Sequence, residues 1–314
     1  MTRALLTRAP ARGLAIAAWL LAVAGVILAA GAVVASLPSG GARLLLTGGI
    51  GLLTCGIVAA AAYQAAVRAG RPVEAYRGPS PVVVLLAAVG ITSVAIAAAG
   101  TVGVIDLTSP WGVFASLLAS AVVYGGLVWA LVVRTGALGW ADMGWPVRGP
   151  ASAERYVRDV ITAIGIVAPT YLASAFLGGL LALVLGVRLE SPLPAPGSAV
   201  ELLLTFLGAV LVAPVGEELF FRGFALTAWW RDLGAPAALV RATGFFAVVH
   251  VLNVSTASAD ELVRLALLQF AVILPVGYVL GWLFVRRGMA AAIAGHMTFN
   301  GIALFLFVAA STAG

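Results

Sequence analysis

Long apolar runs separated by short polar segments make up most of the chain. Runs of about 20 residues are long enough to cross roughly 30 Å of hydrocarbon as an α-helix. The pattern therefore predicts an all-α fold, a polytopic transmembrane helix bundle of eight to nine spans. Eight applies if the two short segments 81–105 and 111–133 pair as a hairpin. The nine apolar runs are 13–36, 43–67, 81–105, 111–133, 158–187, 199–221, 236–254, 261–285 and 289–311.

Composition agrees with a membrane protein. The chain is 62% hydrophobic and 10% charged, whereas soluble proteins average about 45–50% apolar and about 25% charged residues. The single cysteine, Cys55, excludes an intramolecular disulfide and a cysteine metal cluster. The net charge of +6 comes from eighteen arginines without any lysine. Because these arginines are spread over short loops, the composition does not predict a nucleic-acid partner.

The arginines predict how the chain is oriented. With the N-terminus inside, fourteen of the eighteen arginines lie on the cytoplasmic side and Arg222 lies within the membrane. Only Arg43, Arg188 and Arg264 fall outside, which is the bias of the positive-inside rule. The first run is too long for a signal peptide, and LPSGGAR after it is a poor cleavage site. We therefore expect an integral membrane protein with a cytoplasmic N-terminus. The absence of lysine and the abundance of Ala, Arg and Gly suggest that the membrane is a bacterial plasma membrane.

The informative residues are polar groups inside the apolar runs, because charges at membrane depth are costly and are usually functional. The last third of the chain concentrates them, including both histidines of the sequence. They are Glu217, Glu218, Arg222, His250, His296 and the neutral Asn300. This concentration predicts a site in the C-terminal half.

Helical geometry separates the two adjacent glutamates. Glu218 and Arg222 are four residues apart, a spacing at which a glutamate pairs with a following arginine. We therefore expect a mutually neutralising ion pair. Glu217 points about 100° away from Glu218 on the helix. It is left without a partner on its own helix and is available as a general base.

Two further helices contribute the remaining groups. Phe246 lies one turn before His250, so its ring can pack against the imidazole, and His296 and Asn300 share a helix face. A carboxylate and an imidazole that reach one water can activate it, while a second imidazole and an amide N–H can stabilise an oxyanion. One Glu with two His also matches the ligand set of hydrolytic zinc sites. The residues are compatible with metal-free activation of water and with a zinc site.

The motifs EELFFR, FAVVH and HMTFN, in this order, resemble those of the CPBP intramembrane protease family. That family is also called the CAAX amino-terminal protease or Abi family and includes type II CAAX prenyl endopeptidases. Its pattern is EExxxR, FxxxH and HxxxN or HxxxD, and every position is filled here. The resemblance covers about residues 199–311.

The resemblance implies an intramembrane endopeptidase that hydrolyses a peptide bond of a membrane-associated peptide or protein in contact with the lipid bilayer. Glu217 and His250 would activate water, and His296 and Asn300 would hold the oxyanion or complete a metal site. Glu218, Arg222 and Phe246 would support them. The family is labelled metalloprotease, so one divalent metal, zinc, held by Glu217, His250 and His296 is the alternative to metal-free chemistry.

The domain organisation follows from the same motifs. Residues 1–157 are interpreted as four generic membrane helices, and residues 158–314 as the catalytic membrane domain with its core at 199–311.

Two other functions use the same residues. An ion-coupled transporter would use intramembrane Glu and His as proton or metal sites, although no inverted repeat is found. A catalytically inactive scaffold or bacteriocin self-immunity protein would need only the fold.

Overall fold

Most of the residues that the structure describes are helical. A computed structural model describes residues 8–34, 39–101, 106, 108–145, 152–188, 193–254, 256 and 258–313. Within these ranges there are nine continuous helices and no strand. They are α1 Arg8–Val34, α2 Ser39–Arg68, α3 Pro81–Thr101, α4 Pro110–Val133, α5 Ser152–Leu185, α6 Ala199–Leu233, α7 Ala235–Val251, α8 Ala259–Arg287 and α9 Met289–Ala313. The predicted all-α bundle is confirmed.

Eight of the nine helices are long and apolar enough to cross a membrane, within the residues described. The two segments predicted at 81–105 and 111–133 form separate helices of spanning length. The helix that falls short is α7, with 17 residues. Gly234 with φ of 79° separates it from α6, and a short turn follows Val251. The predicted run ends at 35–36 and 102–105 lie outside the described residues.

Packing divides the chain into two compact units. One comprises Met1–Leu107 and Leu118–Gly139, and the other Thr108–Leu117 and Trp140–Gly314. In the first unit α1 and α2 pack backbone to backbone, since a Cβ added to Gly25 would lie 2.5 Å from the amide nitrogen of Leu53. Small residues permit such contacts between membrane helices. The predicted division at 157/158 into generic and catalytic domains stays a prediction.

In the second unit α6 lies against α7, α8 and α9. Its core residues are aromatic and aliphatic side chains that are almost fully buried, among them Phe220, Phe224, Leu226 and Leu280. Between membrane helices such side chains are held by close van der Waals packing rather than by transfer out of water. This packing fixes the helices that carry the polar motifs.

Two glycines of α8 allow α7 to approach closely. A Cβ at Gly277 would lie 3.2 Å from Cδ1 of Phe246, and one at Gly281 would lie 2.6 Å from Cδ1 of Leu239. Gly277 and Gly281 are four residues apart, a GxxxG spacing of small residues that permits such close contact between membrane helices. This contact brings Phe246, and with it the FAVVH segment, against the middle of α8.

Candidate active site

The middle of α6 is irregular where it carries the first motif. The α-helical turn Ala213–Glu218 lies between two wider, π-type stretches, Phe206–Val212 and Leu219–Leu226. Pro214 stands at the start of that turn. Proline lacks an amide hydrogen and its ring clashes with the carbonyl four residues earlier, and π-type turns relieve such a clash.

Glu218 and Arg222 form the buried ion pair that their spacing predicts. Nη1 of Arg222 donates to Oε1 of Glu218 at 2.8 Å, and their side chains are 1% and 0% exposed. Nη2 donates to the carbonyl of Gly277 at 3.1 Å. The guanidinium also lies 4.1 Å from the ring centroid of Phe246, a cation–π distance. Arg222 therefore joins α6 to both α7 and α8.

His296 reaches the same ion pair from α9. Its Nδ1 lies 2.8 Å from Oε1 of Glu218. An ionised carboxylate only accepts hydrogen bonds, so Nδ1 of His296 must be the donor. The other ring nitrogen, Nε2, is directed to Glu217 with 3.9 Å to Oε2. Glu218 thus fixes both the rotamer and the tautomer of this imidazole.

His250 is held in the same way by a backbone group. Its Nδ1 lies 2.9 Å from the carbonyl oxygen of Phe246, which can only accept, so Nδ1 again carries the proton. The Phe246 and His250 ring centroids are 4.2 Å apart, as the spacing of the FAVVH motif predicts. Nε2 of His250 then lies 3.7 Å from Oε2 of Glu217.

Glu217 stands between the two imidazoles. Its side chain is 23% exposed, yet its Oε2 atom is buried and makes no hydrogen bond. The separations of 3.7 Å and 3.9 Å to the two Nε2 atoms exceed a direct hydrogen bond but are within reach of one bridging water. An unpartnered buried carboxylate oxygen between two imidazoles is costly unless something binds there. The structure thus brings together Glu217, His250 and His296, which were predicted to share a site.

Asn300 bonds to the backbone of α6. Its Nδ2 donates to the carbonyl oxygen of Ala209 in α6 at 2.8 Å. This contact lies eight residues before Glu217 along α6. At least one of its two amide hydrogens is therefore used by the protein backbone.

A zinc ion needs its ligand atoms closer together than the Glu217 carboxylate and the two imidazoles are. Two ligands bound to one zinc at about 2.0–2.1 Å in tetrahedral geometry lie roughly 3.3 Å apart. The two distances from Glu217 to the imidazoles are wider, at 3.7 Å and 3.9 Å. Among the residues that the structure describes, no group of three His, Cys, Asp or Glu side chains is arranged to hold a metal. The donor types suit zinc, but their placement does not form a preassembled site.

Three contacts of the site were not anticipated from the sequence. They are the bonds from His296 to Glu218, from Arg222 to the carbonyl of Gly277, and from Asn300 to the carbonyl of Ala209. Each joins residues more than fifty positions apart, and two of them end on backbone atoms. The presence of Pro214 within an apolar helix was the one available signal, because a proline frees a carbonyl in the preceding turn.

A comparison with protein-family models matches residues 199–302 to the family described as type II CAAX prenyl endopeptidase Rce1-like. The matched region is about a third of the chain and contains all three motifs. No curated protein and no solved structure matches the chain. The resemblance predicted from EELFFR, FAVVH and HMTFN is confirmed.

Proposed function

We propose that this protein is an intramembrane endopeptidase, because residues 199–302 match the family described as type II CAAX prenyl endopeptidase Rce1-like. It hydrolyses a peptide bond of a substrate that has a membrane-associated segment. One observation carries the proposal: the buried, unpartnered Oε2 of Glu217 faces Nε2 of His250 and Nε2 of His296. A water bound among these atoms is oriented by Oε2 of Glu217 and Nε2 of His250, which can accept its protons.

The charges of the cluster suggest different roles for the two imidazoles. Glu217 and Glu218 contribute two negative charges and Arg222 one positive charge, so one additional proton neutralises the cluster. His296 lies beside both carboxylates, whereas His250 lies beside Glu217 and a neutral carbonyl. We assign the additional proton to His296, because both of its ring nitrogens face carboxylate oxygens that accept hydrogen bonds.

These roles give a reaction in which every proton has a place. Water between Glu217 and His250 attacks the carbonyl carbon of the peptide bond, and its proton passes to the Glu217 carboxylate. Nε2–H of His296 donates to the oxyanion of the tetrahedral intermediate. As the C–N bond breaks, Glu217 returns the proton to the leaving amine. The other proton of the attacking water stays on the new carboxylic acid and then passes to Nε2 of His250. The products are a new carboxylate and a new amine, and none of these steps requires a metal.

Arg222 serves the reaction indirectly. Its three contacts are to Glu218, the carbonyl of Gly277 and the Phe246 ring. Through these contacts it holds the Glu218 carboxylate in place, and Glu218 in turn holds His296. We assign Glu218, Arg222 and Phe246 to positioning, as the family resemblance implies.

The test is cleavage of fluorogenic peptides with one hydrophobic anchoring segment by the purified protein in lipid vesicles. Wild-type protein is expected to cleave part of such a library, and Glu217→Ala and His250→Ala are expected to lose this activity. Glu201→Gln is the matched control, since Glu201 lies at the start of α6, sixteen residues before Glu217, and its Oε2 accepts from the amide of Gly197. Activity that survives in both Ala variants, or that is also lost in the control, contradicts the proposal.

A further inference from the structure

The hydrogen bond between Asn300 and Ala209 has a cause in the backbone of α6. Ahead of the motif, the amide of Ala213 bonds to the carbonyl of Gly208, five residues earlier. The next bond of this π-type pattern would join the amide of residue 214 to the carbonyl of Ala209. Residue 214 is proline, which has no amide hydrogen. The carbonyl of Ala209 therefore lacks its helical donor.

Asn300 supplies that missing donor from another helix. Its Nδ2 lies 2.8 Å from the Ala209 oxygen. A carbonyl left without a partner in a non-aqueous environment costs several kcal/mol, so this bond is more than a surface contact. The side chain replaces the hydrogen bond that Pro214 removes.

The bond also fixes where α9 stands against α6. Asn300 lies one helical turn after His296, and His296 itself bonds to Glu218 on α6. One turn of α9 is thus attached to α6 at both ends, before and after the Pro214 irregularity. The positions of Glu217 and His296 relative to each other depend on these two attachments.

From this geometry we propose that Asn300 is a positioning residue. It completes the backbone hydrogen bonding of α6 opposite Pro214 and thereby sets the separation between Glu217 and His296. This inference rests on the proposed peptidase function, and it assigns a structural role to the amide hydrogen of Asn300 that bonds to Ala209. A misplacement of about 1 Å at a catalytic group can reduce a rate by about 100-fold.

A double-mutant cycle tests this role because the missing amide can be restored. Asn300→Ala is expected to lower kcat by about 10- to 100-fold with KM changed less than about threefold. Pro214→Ala supplies an amide to Ala209 and is expected to stay within about threefold of wild type. The double variant Pro214→Ala/Asn300→Ala should then recover kcat to within about threefold of Pro214→Ala. A direct oxyanion donor predicts no recovery, and that result overturns the proposal.

Thermal stability gives a readout that does not require activity. Loss of the bond in Asn300→Ala is expected to lower the melting midpoint by about 2 °C or more. The same decrease is expected when Asn300→Ala is combined with the inactivating Glu217→Gln substitution. The loss should be smaller when Pro214→Ala is present. If Pro214→Ala fails to fold, an unchanged midpoint in Asn300→Ala alone contradicts the proposal. If the wild type cleaves no peptide, the proposed function fails, whereas the midpoints still test the Asn300 bond.

Discussion

The buried ion pair between Glu218 and Arg222 allows the most quantitative prediction. Arg222→Met leaves the Glu218 carboxylate, which is 0% exposed, without its guanidinium. It also removes the bond to the Gly277 carbonyl and the contact with the Phe246 ring. Breaking a buried pair by removing one partner costs about 3–5 kcal/mol. We expect a loss of this size in the free energy of unfolding.

The double variant separates the charge effect from packing. Glu218→Gln alone leaves a buried, uncompensated guanidinium and is also expected to cost about 3 kcal/mol or more. When both charges are removed together, neither is left unpaired. The combined loss should therefore be smaller than the sum of the single losses by about 2 kcal/mol or more.

The assay is equilibrium unfolding of each variant in mixed micelles with increasing sodium dodecyl sulfate. An internal control is the ion pair of Asp260 and Arg264, which has the same four-residue spacing and the same 2.8 Å distance but an Asp260 side chain that is 82% exposed. Asp260→Asn is expected to cost less than about 1 kcal/mol. Additive single losses for Glu218 and Arg222, or losses no larger than that of the control, would refute the reasoning.

Three other predictions concern packing, metal and orientation. Gly25→Ala is expected to destabilise the fold by about 1–3 kcal/mol, because its Cβ would lie 2.5 Å from the backbone amide nitrogen of Leu53. Gly31→Ala, where nothing lies within 4 Å, should not, and equal unfolding free energies for the two variants would contradict this prediction. Treatment with a metal chelator is expected to leave kcat within about twofold of its starting value, since no step assigned to Glu217 and the imidazoles requires a metal; a loss of activity that added zinc restores would instead support the zinc alternative. A reporter fused to the N-terminus is expected to be cytoplasmic, as the arginine distribution predicts; a reporter active only on the outer side would reverse the orientation.

Hydropathy and helical spacing predicted much of the architecture. Runs of apolar residues located the helices, and the four-residue spacing of Glu218 and Arg222 predicted their ion pair. Both predictions rest on local geometry, which depends only on residues that are close together in the sequence. The length of α7 was less predictable, since the apolar run continues past Val251 although the helix ends there.

The contacts between helices could not be derived from spacing. His296 could have turned either ring nitrogen toward α6, and the acceptor that selects Nδ1 is Glu218, 78 residues away. Asn300 could equally have faced the water site, as the motif suggested. Its partner is a carbonyl freed by Pro214, and finding it requires the register of α9 against α6. Registers between helices depend on packing, which single-chain patterns do not specify.

The most direct test of the central claim is kcat for Glu217→Gln in vesicles, measured on any peptide that the wild type cleaves. Glutamine keeps the size of the side chain but cannot take a proton from water. Because general-base catalysis contributes about 10²–10⁴-fold, we expect kcat to fall by at least about 100-fold while the melting midpoint is maintained. A Glu217→Gln variant that retains more than about a tenth of wild-type kcat would contradict the assignment of Glu217 as the group that activates water.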